Sequence, residues 1–340
     1  MIKKNDKNKI IVIFFCVFIT SCGMKNGKNK EDGLIISCRG LIAQPVYLHY
    51  ISDNIGYAFV NNGDTYSHAD AVIYKTIDGG NNWEQVNVIE HHLFTGSSSI
   101  ILGDNIYCYI NSEDDFAINR IICYNYKINT IKVSDYIIQS VGDIWEQDGN
   151  IYGYVYVDSG YSLLIIDTNL YGLVKNRNFY KEMTGSVCCD KNHKYFLTYD
   201  NYFVIQGESY VKKISIRNPQ CITKLAEGKV LIVANTAKNI ITLYEYYVDS
   251  NQLKVACSIY GYNIAKHFRM DMKGKNIIGF VGNISGHFIE YDMVCISIEK
   301  QRMITRSLLV PYKITPNDIT EKYLYIFVDR NTIQRYTLTQ

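Results

Sequence analysis

From Leu34 onward the chain is a succession of short apolar runs broken by Gly, Asn and Asp, and none keeps the 3.6-residue period of an amphipathic helix. Short runs rich in Ile, Val, Tyr and Phe and bounded by turn residues predict strands. After an initial run at Leu34–Leu41, the runs fall into groups of four. The first group is Val46–Ile51, Gly56–Val60, Ala71–Thr76 and Trp83–Val88. A second starts at Ser98–Leu102, a third at Ile137–Trp145, a fourth at Ser186–Cys189, a fifth at Cys221–Leu225 and a sixth at His267–Met272. Only three runs remain at the end: Ile314–Thr320, Leu324–Val328 and Thr332–Leu338. The unassigned run at Leu34–Leu41 supplies the fourth strand of that last group. Pairing the two ends of the chain removes the open sheet edges that such an array would otherwise carry.

The turns between third and fourth strands check this grouping. Asp78, Asn129, Thr168, Glu208, Ser250 and Lys300 recur at intervals close to the length of a four-stranded propeller blade, about 40–50 residues. Seven units would average about 44 residues each. The expected fold is therefore an all-β propeller over residues 34–340, with seven four-stranded blades closed by the N-terminal strand. A chain of this length exceeds a single ordinary core but suits a quasi-repetitive ring, so one toroidal domain is expected rather than two.

The sharpest local pattern is Ile73–Val86, IYKTIDGGNNWEQV, which reads as strand, tight turn, strand. Asp and Asn side chains bond nearby backbone groups, and Gly tolerates positive φ, so Asp78–Asn82 is a turn with a mechanism. Within it Thr76, Asp78, Gly80 and Trp83 fall on the spacing S/T-x-D-x-G-x-x-W. This resembles an Asp-box, the BNR repeat of sialidase-type β-propellers. With Gly56–Phe59, GYAF, upstream, it looks most like the photosystem II stability/assembly-factor-like branch of that group. The resemblance covers roughly residues 46–90 and one intact box; YYVDSNQLKV and IIDTNLYGLV look like worn relatives lacking the Trp. It implies a structural role for the box: Asp78 accepts turn N–H groups and Trp83 packs beneath the hairpin.

The first 33 residues change the picture of where the domain works. Lys3, Lys4, Lys7 and Lys9 precede an unbroken apolar run at Ile10–Ile19, too short to span a bilayer at about 1.5 Å per residue. A basic head, a short apolar core and small residues before a cysteine read as a secretory leader over residues 1–21. Ile19-Thr20-Ser21-Cys22 resembles a bacterial lipobox, with Cys22 as the acylated residue. Residues 22–33 are polar and Gly-rich, a tether between membrane and domain. The expected location is the cell envelope, with the outer membrane the expected host and its face left open.

Removing residues 1–21 takes away four Lys and one Asp, which moves the formal charge from +2 to −1. A near-neutral domain without Lys/Arg runs has no electrostatic footprint for nucleic acid. Of ten cysteines, Cys16 leaves with the leader and Cys22 is the lipid site; the other eight show no CxxC or Cys/His metal spacing. Several lie inside apolar runs, as expected of buried thiols; one or two bridges stay open for an exported chain. Adjacent Cys188 and Cys189 should point to opposite faces of a strand, one of them outward.

No set of residues converges on a catalytic, metal or cofactor site. Sialidase chemistry needs clustered arginines with a Tyr–Glu pair, and the nine Arg are scattered from Arg39 to Arg335. Ile216-Arg217-Asn218-Pro219 lies in the wrong place for the arginine motif of that family. His91–His92 lacks a second ligand cluster, Glu113-Asp114-Asp115 lacks the alternating oxygens of a Ca²⁺ loop, and Gly279–Gly286 reads as a loop without a following helix. Tyr244, Tyr246 and Tyr247 belong to a tyrosine-rich strand that fills space between blades or lines a glycan platform. Two functions therefore remain: a membrane-tethered, non-catalytic module binding an unknown protein or glycan, and a sialidase-like glycoside hydrolase.

Overall fold

The computed structural model describes residues 33–337 apart from 64–68, 113–118, 136–137, 139–143, 148, 158–159, 167–169, 171–172, 181–182, 271–275, 286–287, 298–301, 307–316, 321 and 330. The leader, Cys22 and the tether up to residue 32 lie outside the described residues, as does Glu113-Asp114-Asp115. Among the described residues the regular structure is all strand.

β1 (Leu34–Ser37) is followed by β2 (Tyr47–Tyr50), β3 (Gly56–Asn62), β4 (Asp70–Thr76) and β5 (Glu84–Ile89), the last four pairing in that order as a first antiparallel sheet. The second sheet is β6 (His92–Leu102), β7 (Asn105–Ser112), β8 (Asn119–Asn125) and β9 (Thr130–Val133). The third is β10 (Ile144–Gln147), β11 (Asn150–Val157), β12 (Gly160–Ile166) and β13 (Leu173–Tyr180). The fourth is β14 (Met183–Cys189), β15 (Lys194–Thr198), β16 (Tyr202–Gln206) and β17 (Val211–Ser215). The fifth is β18 (Pro219–Ala226), β19 (Lys229–Ala237), β20 (Ile240–Tyr247) and β21 (Gln252–Tyr260). The sixth is β22 (Ile264–Met270), β23 (Asn276–Ser285), β24 (Phe288–Ser297) and β25 (Arg302–Arg306). β26 (Asn317–Ile319), β27 (Tyr323–Asp329) and β28 (Thr332–Thr337) complete the seventh sheet with β1, in the order β1-β28-β27-β26. The two ends of the described chain thus share one sheet, with Leu34 opposite Arg335 and Ser37 opposite Thr332. The architecture is a β-propeller of consecutive four-stranded sheets.

The apolar runs are continuous rather than alternating because both faces of the inner strands are covered. On β3, Ala58 and Val60 face the closing sheet while Tyr57 and Phe59 face the second sheet. On β7, Ile106, Cys108 and Ile110 face the first sheet, and Tyr107 and Tyr109 the third. On β19, Val230 and Ile232 pack toward the fourth sheet, Leu231 and Val233 toward the sixth. The core is therefore a series of apolar layers between neighbouring sheets, and a two-residue period sends alternate side chains into successive layers.

Several sequence expectations need correction. The strand expected over Leu34–Leu41 ends at Ser37: the Cys38 N–H bonds to the Asn331 carbonyl, and Arg39 turns to pair with Asn82. Gly40 follows at φ 90°, where a Cβ would stand 2.2 Å from the Trp83 carbonyl oxygen. Of the run at Ile137–Trp145, Ile144 and Trp145 lie in β10 and Ile138 makes an isolated bridge to Asn119, while residues 137 and 139–143 are outside the described residues. Gly279–Ser285, read as part of a loop, lies within β23, paired on one side with β22 and on the other with β24; Gly286 is outside the described residues. Cys188 and Cys189 are both buried, at 5% and 3% exposure, since neither face of that strand meets solvent. Cys38, Cys108, Cys123, Cys188, Cys189, Cys221 and Cys257 are thiols, and burial pushes Cys38 and Cys221 up to about 12.

A polar clamp joins the first and second sheets. Asn61, at the end of β3, donates through Nδ2 to the Phe94 carbonyl (3.0 Å) and accepts from the Phe94 N–H at Oδ1 (2.7 Å). Its amide thus replaces a missing strand partner for β6. The same position in β7 and β19 holds Asn111 and Asn235, and the sequence signal is a run of apolar or small residues ending in Asn: YAFVN, YCYIN, LIVAN. Asn61→Ala is expected to lower stability by about 1–3 kcal/mol, because Phe94 is buried and both its backbone groups would lose a partner. Urea unfolding measures this; an unchanged midpoint would mean the clamp is dispensable.

Candidate functional site at the closing seam

The motif residues Thr76, Asp78, Gly80 and Trp83 come together in one turn between β4 and β5, and the bonds run inward. The Thr76 hydroxyl donates to Asp78 Oδ1 (2.9 Å) and accepts from the Gly80 N–H (3.0 Å). Asp78 in turn accepts from the Asn82 N–H at Oδ1 (3.0 Å) and from Asn82 Nδ2 at Oδ2 (2.6 Å). Slight burial opposes the Asp78 charge, but the bonds from Asn82 and Thr76 outweigh it and hold the carboxyl below its usual range. Trp83 Nε1 donates to the Gly80 carbonyl (2.8 Å), and its ring is 5% exposed. Gly79 and Gly80 have φ of 75° and 105°, the left-handed region that Gly adopts without strain. At Gly80 a Cβ would also meet the Tyr50 hydroxyl at 2.6 Å.

Around this turn the first sheet is joined to the closing sheet. Trp83 packs with Ile36 of β1, Tyr50 of β2, Phe327 of β27 and Ile333 of β28. The Arg39 N–H bonds to the Asn81 carbonyl and the Trp83 N–H to the Arg39 carbonyl, each at 2.8 Å. Tyr50 stacks on Tyr325 with ring centroids 3.7 Å apart, and its N–H donates to Asp318 Oδ2. Asp53 accepts from the Thr320 hydroxyl (3.0 Å) and pairs with Lys322 (3.4 Å), while Tyr325 donates to the Asp53 carbonyl. Residues more than 260 positions apart thereby hold the ends of the chain together.

A second polar node joins the fourth and fifth sheets. Asp190, whose side chain is 1% exposed, accepts at Oδ1 from the N–H groups of Asn192 (2.9 Å) and His193 (2.7 Å) and lies 3.0 Å from His193 Nδ1. Its Oδ2 accepts from the Tyr195 hydroxyl and from the Gly228 N–H (3.2 Å). Burial works against the charge, yet the bonds from Tyr195 and the two backbone N–H groups lower the carboxyl pKa. The sequence offered one clue: an Asp ending an apolar strand, three residues before His.

The other candidates stand apart from both nodes. His91 has φ 58° and its N–H bonds to Asp70; His92 opens β6 with Nδ1 2.7 Å from the Glu90 carbonyl. Tyr246 is buried and donates to Asn251, and Tyr247 lies between Lys229 and Lys254, each 5.0 Å from its ring centroid. Arg120 donates to the Ser134 carbonyl, Arg335 lies 4.4 Å over the Tyr323 ring, and Arg217 lies between β17 and β18, away from the Arg39 turn. Between the inner strands β2 and β6, His49 Nε2 meets Ser99 Oγ at 2.7 Å. Among the described residues no group of three or more His, Cys, Asp and Glu is placed to hold a metal.

No protein-family model and no curated protein matches the chain. Solved structures do share its fold. A chain in the crystal structure of the Mitotic Checkpoint Complex superposes with a TM-score of 0.60 at 10% identity, over 93% of this chain and 97% of that one. A Bacteroides uniformis protein named for 6-phosphogluconolactonase gives 0.55 at 10% identity, covering 85% and 93%. The computationally designed Ika8 protein gives 0.53 at 10% identity, covering 90% and 100%. At these identities the likeness is one of fold.

Proposed function

We propose that this chain is an envelope-anchored lipoprotein whose propeller is a non-catalytic module that binds a protein or glycan partner and assembles it at the membrane. The Thr76–Trp83 turn is an Asp-box of the BNR type, and the seven four-stranded sheets are its seven blades. The observation that carries the non-catalytic part is the inward bonding of the sharpest polar motif: Thr76, Asp78 and Trp83 satisfy one another and the turn backbone. Groups used in this way are tied to the fold. The lipobox-like run ending at Cys22 carries the anchoring part.

Metabolic labelling with a fatty-acid analogue is expected to tag the wild type and to fail in Cys22→Ala; equal labelling of both would remove the anchor. Affinity capture with the lipidated protein from its own envelope tests the binding role against a variant with scrambled inter-strand loops. Retention of nothing above that control would sink it, and hydrolysis of a sialoside by the purified protein would overturn the non-catalytic reading.

A further inference from the structure

The first strands of neighbouring sheets meet: β26, β2, β6 and β10 contact one another in turn, as do β14, β18 and β22. Side chains tie several of these meetings. Tyr50 of β2 donates its N–H to Asp318 of β26, Ile144 of β10 donates to Ser98 Oγ of β6 (2.6 Å), and Ile222 of β18 to Ser186 Oγ of β14 (2.9 Å). Each of these oxygens caps a backbone group and is explained by the fold. The tie between β2 and β6 is of another kind, because two side chains bond to each other: His49 Nε2 lies 2.7 Å from Ser99 Oγ. His49 is 4% exposed, with its ring edge-on to Phe59, while Ser99 is only partly buried. The backbone at Ser99 is also irregular. Thr95 pairs with Tyr109 and Ile100 with Tyr107, so residues 96–99 of β6 stand opposite Cys108 alone. This long bulge, Gly96-Ser97-Ser98-Ser99, sits on an end strand of its sheet and leaves its N–H groups outside the register with β7. Bulges re-aim side chains and recur beside reactive sites.

We propose that Ser99 is a nucleophile that becomes acylated by an activated carboxylic ester, with His49 as its base. With the imidazole proton on Nδ1, Nε2 accepts from the Ser99 hydroxyl, the pairing that activates a serine. Ser99 Oγ bonds to the carbonyl carbon as its proton passes to His49 Nε2. The C–O bond of the ester then breaks, and the alcohol leaves with that proton. Bulge N–H groups outside the ladder are suited to the carbonyl oxygen as it gains charge. The reaction modifies the protein once per chain and needs no turnover. It therefore goes beyond the binding module proposed above without replacing it.

The purified full chain is mixed with p-nitrophenyl butyrate, and nitrophenolate release is followed together with intact mass and peptide mapping. The expected result is a burst of about one nitrophenolate per chain, with a butyryl group on Ser99. Ser99→Ala should show neither. His49→Gln keeps an amide that can bond to Ser99 but takes no proton, and it should slow the burst at least about a hundredfold. Melting curves check that both variants fold, and mapping on the wild type needs no variant. An unmodified Ser99 in the wild type, or a burst of equal rate in folded His49→Gln, would overturn the inference. Release that continues past one per chain, with Ser99 acylated, would support it and overturn the non-catalytic reading instead. Partner capture from the envelope is read separately, so failure of one leaves the other readable.

Discussion

Asp190→Ala is expected to destabilise the protein by on the order of 3 kcal/mol, because it strips a buried, charged acceptor from several donors at once. Tyr195 is fully buried, so its hydroxyl would have no water to turn to, and the bond from Gly228 that joins the fifth sheet to the fourth would be lost. Tyr195→Phe removes one donor and leaves the carboxylate the rest, so its cost should be smaller, about 1–2 kcal/mol. The Asn192 side chain, at an exposed position, can be truncated nearly freely, since its contribution is the backbone N–H. The node also sets an acid limit. Asp190 titrates lower in the folded protein than in the unfolded chain, so its stabilisation is complete above the ordinary carboxylate pKa of about 4. It is lost as pH falls from there through the lower folded value. Urea midpoints for wild type and Asp190→Ala should therefore converge on acidification below about pH 4. A gap that stays constant down to pH 2 would mean the carboxylate charge is irrelevant.

The strand groups were legible because a two-residue period in strands with two covered faces leaves unbroken apolar runs, and turns of Gly, Asn and Asp divide them. Turn chemistry was legible for the same reason: Thr76, Asp78, Gly80 and Trp83 act within eight residues. What joins sheet to sheet was not. Asn61 finds Phe94 33 residues on, Asp190 finds Gly228 38 residues on, and Tyr50 finds Asp318 268 residues on. Such pairs leave no periodic trace in a single sequence. Two of the departures from the expected pattern share one physical cause. An outward Cys at 188–189 and a glycine loop at 279–285 are what a strand with one wet face or an unpaired segment would give, whereas propeller strands are packed on both faces. That same geometry puts the polar groups that matter at strand ends and turns, where the sheets' backbone groups run out of partners.

Trp83→Ala should cost about 3–5 kcal/mol, the range for deleting a large buried aromatic side chain. The indole shares one apolar cluster with residues of β1, β2, β27 and β28, so the cavity would open at the junction of the first and closing sheets. Collapse there is restricted: Gly40 already lies against the Trp83 backbone, and Tyr50 is held between Tyr325 and the Asp318 carboxylate. Trp83→Phe keeps most of the volume and loses only the Nε1–H bond to Gly80, so its cost should be about 1 kcal/mol. The difference between the two variants isolates packing from hydrogen bonding. Loss of the indole should also reach the chain ends. Ile36 is the one buried residue of β1, and it packs in the same cluster, so amide exchange at Ile36 and Arg39 should accelerate more in Trp83→Ala than exchange in β19. Equal melting temperatures for wild type and Trp83→Ala would mean that the turn does not hold the seam. A large loss of stability with unchanged exchange at β1 would mean that it holds the first sheet alone.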